Sequence, residues 1–203
     1  VALMSEGRVH RLPLDGDDYY LPSTLFAPHR DAIADLLATL LPASSQTEFV
    51  RDRQLAIAKG RRLRASLEDE GLEYQLLVGR AATSRYLAAP EEGYYLKSPK
   101  SFLGATGLSE SQIQLFRDIV AAMMVTIKQR AELTLGHEIR DAVIGQPVNF
   151  QGLGGAESNR QARSILSDAA HLAGFRNVEF QYEPIAAGLE YEATLQQSQN
   201  VLV

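Results

Sequence analysis

Short apolar runs dominate the first half of the chain, and longer helical stripes the second. Val1–Leu3 and Arg8–Leu12 flank Ser5-Glu6-Gly7 and predict two strands joined by a hairpin turn. Leu25-Phe26-Ala27 is a third apolar run, stopped by Pro28. From Asp31 to Leu41, Ile33, Leu36, Leu37 and Leu40 share one helical face, and Pro42-Ala43-Ser44-Ser45 punctuates that helix. Thr47 to Glu70 is helix-prone and charged, Glu73 to Val78 reads as a strand, and Arg80 to Ala88 as a short helix before Pro90.

Ser109 opens a long helix, and Gln112 three residues later completes a capping box. Ile113, Phe116, Ile119, Val120, Met123, Met124 and Ile127 follow at helical spacing, so the methionine pair reads as core filling. Ala142-Val143-Ile144 is a buried-type strand ending at Pro147. Glu157 to Ala173 is a helix closed by Gly174, and Val178-Glu179-Phe180 a strand. Pro184 to Leu195 is a helix with proline in its first turn, and Val201-Leu202-Val203 begins another strand. This β-α-β-α-β order predicts parallel neighbours with right-handed crossovers. Ligands of such sheets sit at the carboxyl ends of strands, and Pro147 and Glu183 both lie just past one.

Composition narrows the function classes. The chain is 45% hydrophobic and 22% charged, which fits a globular protein long enough for a sizeable core. A net charge of −5 does not suit non-specific nucleic-acid binding, which needs clustered cations, and fits a soluble cytosolic protein. Without cysteine there is no disulfide, thiolate catalysis or Cys-ligated metal site. No apolar run approaches the roughly 18 residues of a membrane span. Arg51, Arg53, Lys59, Arg61, Arg62 and Arg64 read as a solvated helix face rather than an anion site. His10, His29, His137 and His171 are scattered, and neither a G-x-S-x-G elbow nor a P-loop occurs.

Three features carry candidate phosphate chemistry. Gly152-Leu153-Gly154-Gly155 precedes a helix and so has the composition of a phosphate cradle, although a flexible turn is the plainer reading. Lys100, between Pro99 and Phe102-Leu103-Gly104, is either a fixed cation aimed at a phosphate or a solvated lysine. Glu183, at a strand-to-helix junction, either caps its own helix or holds a metal-bound water.

Several short segments, taken together in order, resemble Hsp70 proteins. Ala142-Val143-Ile144-Gly145-Gln146-Pro147-Val148-Asn149-Phe150 resembles A-V-I-T-V-P-A-Y-F, and Arg160-Gln161-Ala162 the R-Q-A of the next helix. Ala173-Gly174-Phe175 stands for A-G-L, and Tyr182-Glu183-Pro184-Ile185-Ala186-Ala187-Gly188-Leu189 for N-E-P-T-A-A-A-x. Leu21-Pro22-Ser23 resembles T-P-S, Val78-Gly79-Arg80-Ala81-Ala82 resembles V-G-D-A-A, and Lys100-Ser101-Phe102-Leu103-Gly104 resembles K-R-L-I-G. The wording K-S-P-K-S-F-L-G and N-F-Q-G-L-G-G is similar to the divergent bacterial Hsp70-like proteins called YegD.

The resemblance implies an α/β, ribonuclease-H-like (actin-like ATPase) fold, with this chain as lobe I of a nucleotide-binding domain. Residues 1–15 and 96–203 would form its inner subdomain and 16–95 an inserted outer subdomain. By resemblance, Lys100 orients the attacking water and γ-phosphate, and Glu183 acts through the magnesium hydration shell. Pro147 relays nucleotide state, and Arg160 passes it to the chaperone's other domain. Implied ligands are ATP or ADP with Mg2+, and implied partners are client polypeptides and cochaperones in the cytoplasm, with neither nucleic acid nor membrane. Two Asp-Gly phosphate loops are expected just before Val1 and just after Val203, so the 203 residues alone are expected to hold no nucleotide and to be inactive. Two departures stand out: Asn149 replaces a tyrosine of the relay, and Gly152–Gly155 is an insertion. The rivals are a sugar or acetate kinase of the same superfold and a non-hydrolysing nucleotide-binding regulatory module.

Overall fold

A computed structural model describes residues 2–5 and 8–193. The first strands, β1 (Ala2–Ser5) and β2 (Arg8–Arg11), pair antiparallel. The turn predicted between them, the last residues of the predicted final helix and the strand at Val201–Val203 lie outside the described residues. A second, antiparallel sheet has β3 (Thr24–Ala27) at its centre, between β4 (Leu77–Val78) and β5 (Tyr94–Lys97). The third sheet pairs β6 (Asp141–Gln146) with β7 (Asn177–Tyr182) in parallel.

Helices cover these sheets. α1 (Ile33–Leu40) follows a 3₁₀ turn at Arg30–Ala32, and α2 (Ala43–Asp52) and α3 (Gln54–Asp69) come next. α4 (Arg80–Ala88) precedes β5, and α5 (Glu110–Leu135) is the longest. α6 (Ala156–Leu172) joins β6 to β7, and α7 (Glu183–Glu192) leaves β7 directly. No helix among the described residues is long and apolar enough to cross a membrane.

The long helix begins where its cap predicts. Ser109 accepts from the Gln112 backbone N–H while the Gln112 side chain accepts from the Ser109 N–H, which satisfies two of the orphan donors of the first turn. Its apolar stripe packs against α1 on one side and α6 on the other. One core therefore runs from Leu25 and Leu37 through Ile57 and Ile119 to Ile165 and Ala169. Met123 is buried in it, and Met124 packs against it half-buried.

Three expectations are corrected. They do not include Pro42, which ends α1 as expected and is itself the N-cap of α2 from Ala43. The charged segment is two helices, broken at Arg53 (φ −114°, ψ 20°). Its solvated-face reading fails at that residue, because Arg53 is 8% exposed and its Nε donates to Asp118 of α5 at 3.3 Å. Farther along α3, Arg61 and Arg64 turn onto the buried Asp35 of α1. The strand predicted over Glu73–Val78 shrinks to Leu77–Val78, since the Tyr74 hydroxyl instead donates to the Gly60 carbonyl and to Asp35.

β5 was not legible as a strand. Its entry depends on Gly93 (φ +124°), where a Cβ would stand 2.4 Å from the Phe26 ring. That close approach is set by tertiary packing rather than by local pattern.

Candidate active site

Lys100 and Glu183 are far apart in sequence and touch in space. Lys100 sits in a 3₁₀ turn, Pro99–Phe102, whose start is fixed twice. Pro99 is buried, and Ser98 donates its N–H to the Ser23 carbonyl at 2.7 Å. Ser98 holds φ 53°, the only positive φ at a non-glycine among the described residues. Such a conformation costs on the order of 1–3 kcal/mol and persists only where the surroundings impose it. The result is a lysine on a rigid stub.

Glu183 is the first residue of α7, immediately after the last residue of β7. Glu183 is not the N-cap of α7, a place that Tyr182 takes. Instead Lys100 Nζ donates to Glu183 Oε1 at 2.7 Å and to the Gly145 carbonyl of β6, also at 2.7 Å. Both side chains keep substantial exposure, 40% for Lys100 and 50% for Glu183. An ion pair so wet contributes at most about 1 kcal/mol, so an anionic ligand can replace it at little cost. An ammonium has three protons, so these two acceptors leave one free. Lys100 also lines a cleft of about 1340 Å³, with Ser23 and Ser98 among its polar residues and Met123, Met124 and Ile127 among its apolar ones.

Pro147 and Arg160 occupy a second, smaller concavity of about 120 Å³. Its lining includes Gln146 and Tyr182, the chain neighbours of Gly145 and Glu183, so both sites are built on the carboxyl ends of β6 and β7. Asn149, where the resemblance would have tyrosine, accepts from Asn159, whose own oxygen accepts from the Phe150 N–H. The departure thus becomes a local clamp at the start of α6.

The Gly-rich stretch has a packing role rather than the form of a cradle. A Cβ on Gly152 would stand 2.0 Å from the Gly104 carbonyl oxygen, and one on Gly104 would stand 2.6 Å from that of Gln151. The Gly154 N–H donates to Ser158 Oγ. The stretch therefore seals backbone to backbone onto the turn that follows Lys100. Gln161 fastens the same turn, donating from Nε2 to the Leu103 and Ala105 carbonyls. Sequence reasoning missed this role of Gln161 and that of Gly145. Both stand inside quoted motifs, but only the fold shows what they touch.

Histidines serve local structure. His29 accepts from the Asp31 N–H, while His137 and His171 lie within hydrogen-bond distance of the Glu138 and Phe175 carbonyls. Among the described residues, no group of three or more His, Asp or Glu is placed to hold a metal ion directly.

Residues 107–203 match the family described as Hsp70 protein. Over those residues the chain is similar to Hsp70 proteins. It is 36% identical over 98 residues to the chaperone protein HscA homolog of Cupriavidus necator, which covers 46% of this chain and 14% of that protein. Against the HscA homolog of Burkholderia multivorans the identity is 34% over the same length, with the same coverage. Against that of Bordetella petrii it is 30% over 191 residues, covering 81% of this chain and 29% of the relative. The chain thus matches between 14% and 29% of the length of these relatives. Pro147, Arg160 and Glu183 fall inside the family match, and Lys100 lies seven residues before it.

Proposed function

We propose that these residues act as lobe I of the nucleotide-binding domain of an Hsp70-type chaperone ATPase. Residues 1–15 and 96–203 form its inner subdomain, and 16–95 the outer one. The observation that carries the reading is the contact between Lys100 and Glu183, at the strand ends where ligands of parallel sheets bind.

The donor set fits a magnesium nucleotide in one way. With no direct ligand cluster among the described residues, the metal would be met through its water shell. Glu183 has a second oxygen with which to accept from such a water, and Lys100 a third proton to give a phosphoryl oxygen. Bound magnesium supplies charge neutralisation of the phosphates. Lys100 holds the attacking water and the terminal phosphate in line and meets the negative charge as it develops. Pro147, just past the end of β6, and Arg160, in the second turn of α6, pass the state of that site to the client-binding part of the protein. Client polypeptides and cochaperones are the partners of this reading, and the cytoplasm its compartment.

The test is ATP binding and phosphate release by the full-length protein with and without Mg2+. The expected result is tight nucleotide binding with slow, magnesium-dependent hydrolysis that needs no small-molecule acceptor. Turnover only with a sugar or acetate present would instead make it a kinase of the same superfold. Binding without turnover would make it a regulatory module, and no binding would overturn nucleotide recognition altogether.

A further inference from the structure

Gly145 occupies the fifth position of a six-residue strand, where glycine weakens a ladder by leaving the backbone free and the face unpacked. Its conformation does not demand glycine, because it is absent from the positive-φ residues. What demands it is space. A Cβ built at Gly145 would lie 3.3 Å from Glu183 Cγ and 3.5 Å from Oε1. A single methyl there is tight, and the further atoms of a branched side chain would compete with the carboxylate for its place. The same residue supplies the carbonyl that holds Lys100 from the other side.

We propose that Gly145 is a positioning residue that sets the pair: its bare backbone lets the Glu183 carboxylate close onto Lys100 while its carbonyl anchors the ammonium. Lys100 is thereby aimed by one rigid and one movable acceptor. A side chain at this position parts the pair and leaves the lysine on the carbonyl alone. The functional meaning rests on the catalytic reading above, but the positional claim does not.

The experiment is acylation of Lys100 by N-acetoxysuccinimide in the nucleotide-free full-length protein, followed by mass spectrometry. Acylation needs Nζ to reach the reagent, and the two acceptors hold it against β6 and α7. Gly145→Val is expected to raise the rate at Lys100 about two- to fivefold, the factor that loss of one partly exposed ion pair carries. Glu183→Gln should raise it by the same factor, and the double variant no further. Gly145→Ala, which fits the strand with the least disturbance, should move in the same direction by less. The exposed Lys59 and Lys97 normalise the labelling, and the buried Lys128, protected while the fold holds, reports intact folding. A wild-type rate in both Gly145 variants, or fully additive effects of Gly145→Val and Glu183→Gln, overturns the proposal. Either result leaves the catalytic reading standing, because that reading is tested by hydrolysis and not by labelling.

Discussion

Replacing Lys100 by methionine is expected to slow ATP hydrolysis by the full-length protein about 10²–10³-fold while leaving nucleotide affinity within roughly tenfold. The two effects separate because the charge that Lys100 meets develops only as the terminal phosphoryl bond breaks. A group that acts chiefly in the transition state lowers the rate when removed, without a matching loss of ground-state binding. In the resting structure the ammonium already has two acceptors at 2.7 Å, so its exchange onto a phosphate adds little net ground-state attraction. Methionine keeps the apolar stem and volume on the Pro99–Phe102 turn and removes only the cation. Single-turnover hydrolysis and equilibrium titration, measured side by side, decide the matter. Equal losses in both would make Lys100 a binding residue, and an unchanged rate would make it a surface lysine.

Arg53→Ala is expected to destabilise the fold by about 3–5 kcal/mol at pH 8, because it strands the buried Asp118 carboxylate. Arg53 sits at the break between α2 and α3 and reaches α5, so this pair ties the charged helices to the long helix. Asp118 is 4% exposed, and one of its oxygens has no hydrogen-bond partner. Burial pushes its carboxyl up to about 6, although Arg53 pulls the other way. The sign follows from linkage. A carboxyl raised in the folded state binds its proton more tightly there than when unfolded. Stability contributed by Asp118 therefore rises as pH falls through about 6, and at higher pH the group opposes folding. Without Arg53 the carboxyl moves up further, since the attraction that lowered it is gone. The penalty of Arg53→Ala should thus be largest at pH 8 and shrink toward pH 5. Urea denaturation of both proteins across that range checks it, and a penalty independent of pH would show that Asp118 is not the group left unpaired.

Much of the second half of the fold was legible in the sequence for a physical reason. Its elements are long, periodic and locally punctuated: the Ser109 capping box, the stripe from Ile113 to Ile127, and Gly174 at the end of α6 each act within a few residues. The first half depends on distant partners. Arg53 breaks a helix because Asp118 is 65 residues away. Tyr74 truncates a strand to reach Asp35, and β5 begins at a glycine whose shape is dictated by Phe26. At the site, motif resemblance picked out Lys100 and Glu183, and the structure shows them in contact. It did not show that the Glu183 carboxylate would turn to Lys100, because a strand-to-helix carboxylate reads first as a helix cap. Nor did it show that the glycine at 145 makes room for that contact, since a missing side chain has meaning only beside the neighbour that fills its space.

The measurement that bears most directly on the catalytic pair is a crystal structure of the full-length protein with Mg2+, ADP and inorganic phosphate. The expected result places Lys100 Nζ within about 2.7–3.2 Å of a phosphate oxygen, with the Glu183 carboxylate accepting from a water of the metal's shell. Lys100 still held only by Glu183 and Gly145, with the phosphate bound elsewhere, would contradict the account.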